Sequence, residues 1–443
     1  MRMNLLLKNW HMLPISFTNY LRQANKSNSY KVGYLCFNFG IFLLFSAPFI
    51  SSFFLIISIT FSFLFSKKNP FKDKINIFLI GISLLMITSF IVFHFQTEGN
   101  FSLYNSKLNT PPLISLINWI PLFFSYIGFQ HYLKKRFDRQ ITGICLICGT
   151  IPILVSGFGQ YLFGWYGPHE FLNGLIIWYQ RENNNAMTGL FNNQNYAGCA
   201  LASVFPFIFA SFLKNKDFDF KKIINLVLIF LLILGILFTH SRNALLSLSL
   251  GVFIMLIPKK SKILIFGFFT FLGTFFINYS LFIIFNINLI PFKLIERLNL
   301  ENILNDPRIL LWKKSISYIL ERPLFGWGGN SFSSLWNDNN VSYFGHSHSI
   351  PIEISIQYGL ITSILLSTLI FFILIKSFKF IFLDSSLKVI DFQKENFFDR
   401  AWFSASLVIL FANTIDILYF DIRISLLNWI FLAGLRNIIF YKE

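Results

Sequence analysis

Charge is scarce in this chain. Of its 443 residues only 13% are Asp, Glu, Lys or Arg, whereas 55% are hydrophobic and 59 are Phe. A soluble domain cannot bury that much apolar surface, so a soluble globular class is excluded and a polytopic membrane protein is indicated. Cysteine is scarce too: Cys36, Cys145, Cys148 and Cys199 all fall inside apolar runs. Cys145 and Cys148 have CxxC spacing, but "ITGICLICGTIPILV" brings no further ligand, so they read as small buried hydrophobes, not as a metal or redox pair. There is no repeat of solenoid period and no low-complexity tract. A P-loop is missing as well, because "GWGGNSF" (326–332) lacks the Lys-Ser/Thr and the preceding strand that a phosphate cradle needs. No cleavable signal peptide is apparent, since residues 1–31 are polar and basic and lead straight into the first apolar run.

What is present is spanning length. Apolar runs at about 32–47, 50–66, 75–95, 111–131, 141–160, 196–213, 223–239, 244–258, 263–285, 350–375, 401–420 and 424–439 predict about twelve transmembrane helices. The first two share one run that divides at Pro48. With the N-terminus placed inside, 27 of the 37 Lys and Arg fall on inner segments, and every inner connection is basic. The formal charge of +17 is therefore a topology signal and an attraction to anionic inner-leaflet lipids, not a nucleic-acid footprint. The expected organisation is a cytoplasmic segment (1–31), helices one to nine (32–285), a large, partly helical outer loop (286–349) and helices ten to twelve (350–443). Long ordered loops on a rigid bundle carry function, so the chemistry is expected on the outer face.

The outward-facing polar residues narrow the search. Arg242 lies in "THSRNALLSL", a turn between two spans, either as a snorkelling anchor or as a functional cation. His240 in the same turn reads as a polar turn residue. "NDPRILLWKKSISYILERP" predicts an amphipathic helix with Asp306 as N-cap, Pro307 in the first turn and a stop at Pro323. Arg308 then joins the free amides of a helix start, an arrangement suited to an anion; the alternative is a surface pair with Asp306 or Glu301. "GLFNNQNYAG" (189–198) puts Asn192, Asn193 and Asn195 at a helix start, where capping accounts for one of them. "HSHSIPIEISIQYGLIT" (346–362) sets His346 and His348 just outside the tenth span, with Pro351 in its first turn and Glu353 about one turn inside. An imidazole there takes a proton at neutral pH, and Glu353 is placed to orient a histidine. Taken alone, each histidine would read as an interfacial hydrogen-bonding residue.

The histidine stretch resembles the signature of the O-antigen ligase / O-antigen polymerase-like (Wzy-C) family: His, then Asn/Ser/Gln, nine residues, Gly, two residues, and Gly/Thr/Tyr. His348, Ser349, Gly359 and Thr362 meet it. "GLFNNQNYAG", the Ser241-Arg242 turn, the "DPRILLWKKSISYILERPLFGWGGNSF" segment and a large outer loop before the last three spans are similar as well. The resemblance implies a glycosyltransferase of the bacterial inner membrane, with both termini cytoplasmic and the site facing the periplasm. It would move a glycan from a polyprenyl-diphosphate carrier to lipid A-core or another glycan acceptor, without metal or other cofactor. The implied roles are general base for His348 and diphosphate binding for Arg242 and Arg308. His346, Glu353, Arg181, Arg322, Asn195 and Gly359 are the further substrate-binding candidates, and Asp421 is a secondary one. Membrane lipids are expected partners and nucleic acid is not.

A polymerase or a protein O-oligosaccharyltransferase of the same family shares these motifs. A small-solute transporter is the alternative from another class. Against it, only two residues, Glu353 and Asp416, are charged within the expected spans, and broken helices in matching halves are not visible. Dependence on Asp416 instead of on His348 and Arg242 would favour transport.

Overall fold

The computed structural model describes residues 28–66, 69–96, 112–182, 186–214, 218–256, 306–337, 344–383 and 397–440. The expected ninth span (263–285) and the first part of the large loop, with Glu301, lie outside the described residues. Helices α1 (Asn28–Leu43) and α2 (Pro48–Phe65) divide the first apolar run as expected. Proline is tolerated at the first helical position, where no intrahelical amide bond is lost. The Ser51 hydroxyl donates to the Gly40 carbonyl at 2.7 Å and locks the two helices together. Helix α3 (Lys74–Gln96) starts beneath Asp73, whose carboxylate accepts the amides of Ile75 and Asn76. Then follow α4 (Pro112–Ile117), α5 (Ile120–Phe129) and α6 (Arg136–Phe163), the last ended by Gly164 at φ +66°.

A short antiparallel hairpin, β1 (His169–Phe171) and β2 (Ile176–Trp178), occupies the loop between α6 and the next helix, with His169 opposite Trp178. Helices α7 (Gln194–Lys214), α8 (Phe220–Phe238) and α9 (Arg242–Leu256) complete the first part. In the large loop lie α10 (Pro307–Glu321) and α11 (Phe332–Asn337). The rest comprises α12 (Ile350–Tyr358), α13 (Leu360–Phe378), α14 (Phe397–Ile415) and α15 (Ile422–Phe440).

The architecture is an all-α polytopic membrane protein. Among the described residues eight segments are long and apolar enough to cross a membrane. Helices α7 and α15 form the centre, with 72% and 83% of their apolar windows buried, against 22% for α2 and α8 at the periphery. Buried ion pairs tie helix ends that the charge distribution assigns to the inner side. Asp399 of α14 holds Arg139 at 3.0 Å and Arg136 at 3.1 Å on α6, and Arg436 of α15 pairs with Asp73.

Three expectations need correction. The tenth span is not one helix: Gly359, at φ +88°, separates α12 from α13. A side chain there would meet the Leu324 carbonyl oxygen at 2.0 Å, because residues 323–328 run through the break. The Leu360 amide donates to Pro323 O, and the Trp327 and Gly328 amides donate to Ile356 O and Gln357 O. The fourth span is interrupted too, between α4 and α5, ahead of Pro121. These discontinuities touch, since Ser115 of α4 donates to Gln357 at 2.6 Å and receives the Tyr358 hydroxyl at 2.6 Å. Unbroken spans therefore cannot be held against a transporter. Finally, α14 stops at Ile415, so Asp416 lies beyond the helix end and not within the helical span expected over 401–420.

Candidate active site

Two helix starts open the site. Arg242 is the first residue of α9, after a turn in which His240 is left-handed at φ +51°. Asp306 caps α10 as the sequence predicts, accepting the Arg308 amide at 3.0 Å through Oδ1. Its other oxygen accepts the Arg242 guanidinium at 2.7 Å. One carboxylate thus joins the two helix starts. Free amides and positive dipole ends favour an anion there, and two guanidiniums strengthen the preference.

Asp416 continues the chain of charges. Its Oδ1 accepts from His348 Nδ1 at 2.9 Å and from the Ile417 amide at 2.9 Å. Its Oδ2 accepts from Asn195 Nδ2 at 2.7 Å and faces the Arg308 guanidinium at 3.6 Å. Burial by itself would raise the Asp416 pKa, but the His348 hydrogen bond and the Arg308 charge outweigh it and hold the group below the ordinary carboxylate range. Arg242, Asp306, Arg308, Asp416 and His348 therefore form one connected network, with Asn195 alongside.

The histidine segment is held from several directions. His348 has φ +56°, a left-handed conformation that strains any residue with a side chain and that folds keep chiefly where geometry matters. His346 Nδ1 accepts the His348 amide at 3.3 Å, and the two rings lie 4.2 Å apart. Burial, with the charges of His348 and Arg308, pushes the His346 pKa down to about 4, so this ring is neutral at pH 7. Glu353 reaches neither imidazole. It accepts the Ser347 amide at 2.9 Å and Gln357 Nε2 at 2.7 Å, while Trp312 of α10 donates to the Ser347 carbonyl at 3.0 Å. Ser347, between the histidines, is pinned by α12 and α10 together.

Not every candidate belongs to the network. Arg322 caps the far end of α10, roughly 20 Å of helix from Arg308, and stacks on Trp327 at 4.2 Å. Arg181 lies on the exposed loop after β2, and its carbonyl accepts from Gln160. Gly359 forms the helix break, and Asp421 pairs with Arg423. Sequence reasoning missed the roles of two acids. Asp306 was visible as a cap and as a pairing partner for Arg308 but not for Arg242, and Asp416 only as a membrane-embedded charge, although a carboxylate in an apolar run is itself a functional signal. His346, His348 and Asp416 offer donor atoms within 4.8 Å of one another, enough for a divalent cation. Such a cation would share Asp416 with the Arg308 guanidinium, which repels it.

Residues 227–367 match the family model Wzy_C, O-antigen ligase. The Wzy_C stretch contains Arg242, Asp306, Arg308, His346, His348, Glu353 and Gly359, and so agrees with the resemblance carried by the histidine motif. Asn195 and Asp416 join the site from outside it. Wzy_C proteins are membrane glycosyltransferase-like enzymes, which supports glycosyl transfer in O-antigen or polysaccharide assembly as the general activity. No curated protein matches the chain.

Proposed function

We propose that the chain transfers a glycan from a polyprenyl-diphosphate carrier to an acceptor hydroxyl at the outer face of the bacterial inner membrane. The O-antigen ligase reaction, attachment to lipid A-core, is the leading form. The observation that carries the reading is the Asp416–His348 pair set beside Arg308. An ionised carboxylate only accepts, so its partner His348 Nδ1 carries the proton and Nε2 keeps the lone pair. Nε2 takes the acceptor proton as the hydroxyl oxygen attacks the anomeric carbon. The bond from that carbon to the diphosphate oxygen breaks, and the electron pair leaves with the diphosphate. Arg242 and Arg308 stabilise this charge, since a guanidinium stays protonated and binds phosphate through two donors. His346, Glu353 and Asn195 position the base and the arginines. The lipid-facing helices accommodate the polyprenyl chain.

The test is transfer in membrane vesicles supplied with a polyprenyl-diphosphate oligosaccharide. His348→Ala should lower the rate by roughly 10²–10⁴-fold while the protein inserts normally, and Arg242→Ala should lower it as well. Glycosylated lipid A-core identifies a ligase, and a longer carrier-linked glycan identifies a polymerase. Native-like rates in both variants would remove this site from the mechanism. The paired breaks in the fourth and tenth spans favour transport as a second reading. Solute uptake that survives His348→Ala, in a chain inert toward several donors, would establish it.

A further inference from the structure

The end of α6 and the hairpin after it carry more apolar surface than a water-facing loop needs. Between Leu162 and Tyr179, Phe163, Trp165, Tyr166, Phe171, Leu172 and Leu175 are exposed among the described residues, with Phe163 at 72% and Leu172 at 64%. Such a concentration marks contact with a membrane or a partner. Two tethers fix the level of the hairpin against the spans. Trp165 turns back onto α6: a side chain at Gly159 would meet its ring at 2.0 Å, so the indole lies beside the last turns of that helix. Trp178 of β2 donates through Nε1 to the Ser46 carbonyl at 2.9 Å, in the turn between α1 and α2. β2 also packs on α2, whose first two turns present Phe49 and Phe53 outward at the periphery of the bundle. The hairpin therefore stands where the apolar runs of α1, α2 and α6 end, and its apolar surface continues theirs.

Strand alternation sorts the side chains. Phe171 shares the face of Trp178, their rings 5.2 Å apart, whereas Glu170 and its partner Ile177 lie on the opposite face. Leu172 and Leu175 form the tip between the strands. Trp and Tyr beside an apolar tip are the composition of the lipid–water boundary, where a ring keeps its apolar body in lipid and its polar group near water. Charge does not select the surface, because Glu170 and Glu182 stand against Arg181 in this loop. We infer that the hairpin is an interfacial anchor: Leu172, Leu175 and the Phe171 ring lie in the headgroup region of a zwitterionic phospholipid leaflet, and Glu170 stays in water. The inference needs only the membrane architecture. It holds whichever end of the bundle faces the periplasm and is independent of the transfer chemistry.

Fluorescence depth measurements on the full-length chain in phosphatidylcholine nanodiscs test it. With the native cysteines replaced, an environment-sensitive maleimide dye is attached singly through Leu172→Cys, Leu175→Cys, Glu170→Cys, Lys221→Cys or Phe53→Cys. Phe53, on the lipid-facing side of α2, is the lipid reference, and Lys221, exposed at the start of α8, is the water reference. Dyes at positions 172 and 175 should lose several-fold more emission to phosphatidylcholine spin-labelled near its headgroup than to aqueous iodide, and dyes at 170 and 221 the reverse. Agreement between the two separately substituted tip positions distinguishes location from misfolding of one variant. Iodide quenching at 172 and 175 as strong as at 221 would place the tip in water and overturn the anchor. Protection from both quenchers would show that protein, another segment or a second copy, covers the tip, and would overturn lipid as its occupant. Lipid quenching that appears only after phosphatidylglycerol is added would overturn the zwitterionic assignment.

Discussion

At the residue scale, the site turns on Asp416. Replacing it with Asn keeps the size but removes the anion that sets the His348 tautomer, so transfer at neutral pH should fall by roughly 10²–10⁴-fold. An unchanged rate would show that the pair is only structural. His346 makes a separate pH prediction. In the unfolded chain its imidazole takes a proton near pH 6.5, whereas in the fold burial delays this to about 4. The unfolded state therefore gains protons first, and stability is lost as pH falls from about 6.5 towards 4. His346→Gln should remove that part of the slope when melting temperature is followed against pH. His348, Arg242 and Arg308 were legible as candidates in the sequence because each stands at a helix end that the charge distribution assigns to the outer side. Asp416 was not, because its contact with His348 spans 68 residues and no local pattern reveals such a partner.

At the scale of elements, the apolar runs located the helices well, because spanning length is a local property. The breaks were less visible. Gly359 sits in a continuous apolar run, and its purpose becomes apparent only when residues 323–328 pass through the gap. Gly359→Ala should destabilise the protein by at least ~1–3 kcal/mol, from the disallowed φ alone, and a shift in thermal unfolding checks it. The three-residue strands of the hairpin are too short to show alternation. Asp306 allows a finer test, since it both caps α10 and holds Arg242. Asp306→Asn keeps a capping oxygen but loses the ion pair, whereas Asp306→Ala loses both. The Ala variant should be less stable than the Asn variant by about 1 kcal/mol. A shared loss of transfer would assign the catalytic effect to the Arg242 pairing and not to the cap.

At the scale of the molecule, the proposed orientation puts the His348–Asp416 network at the periplasmic end of the bundle, because the connections rich in Lys and Arg are expected inside. That assignment rests on a bias in insertion and not on any contact, so it is open to direct measurement. In a chain with Cys36, Cys145, Cys148 and Cys199 replaced by serine or alanine, Glu170→Cys reports the outer hairpin and Lys221→Cys the start of α8; both positions are exposed. A membrane-impermeant maleimide that passes the outer membrane should label the Glu170→Cys chain in intact cells. It should label the Lys221→Cys chain only after lysis. The reverse pattern would turn the His348–Asp416 pair toward the cytoplasm, away from a periplasmic acceptor, and would exclude the ligase reaction even if the pair were essential. Labelling as expected leaves the site on the outer face, where a carrier-linked glycan can reach it once flipped across the membrane.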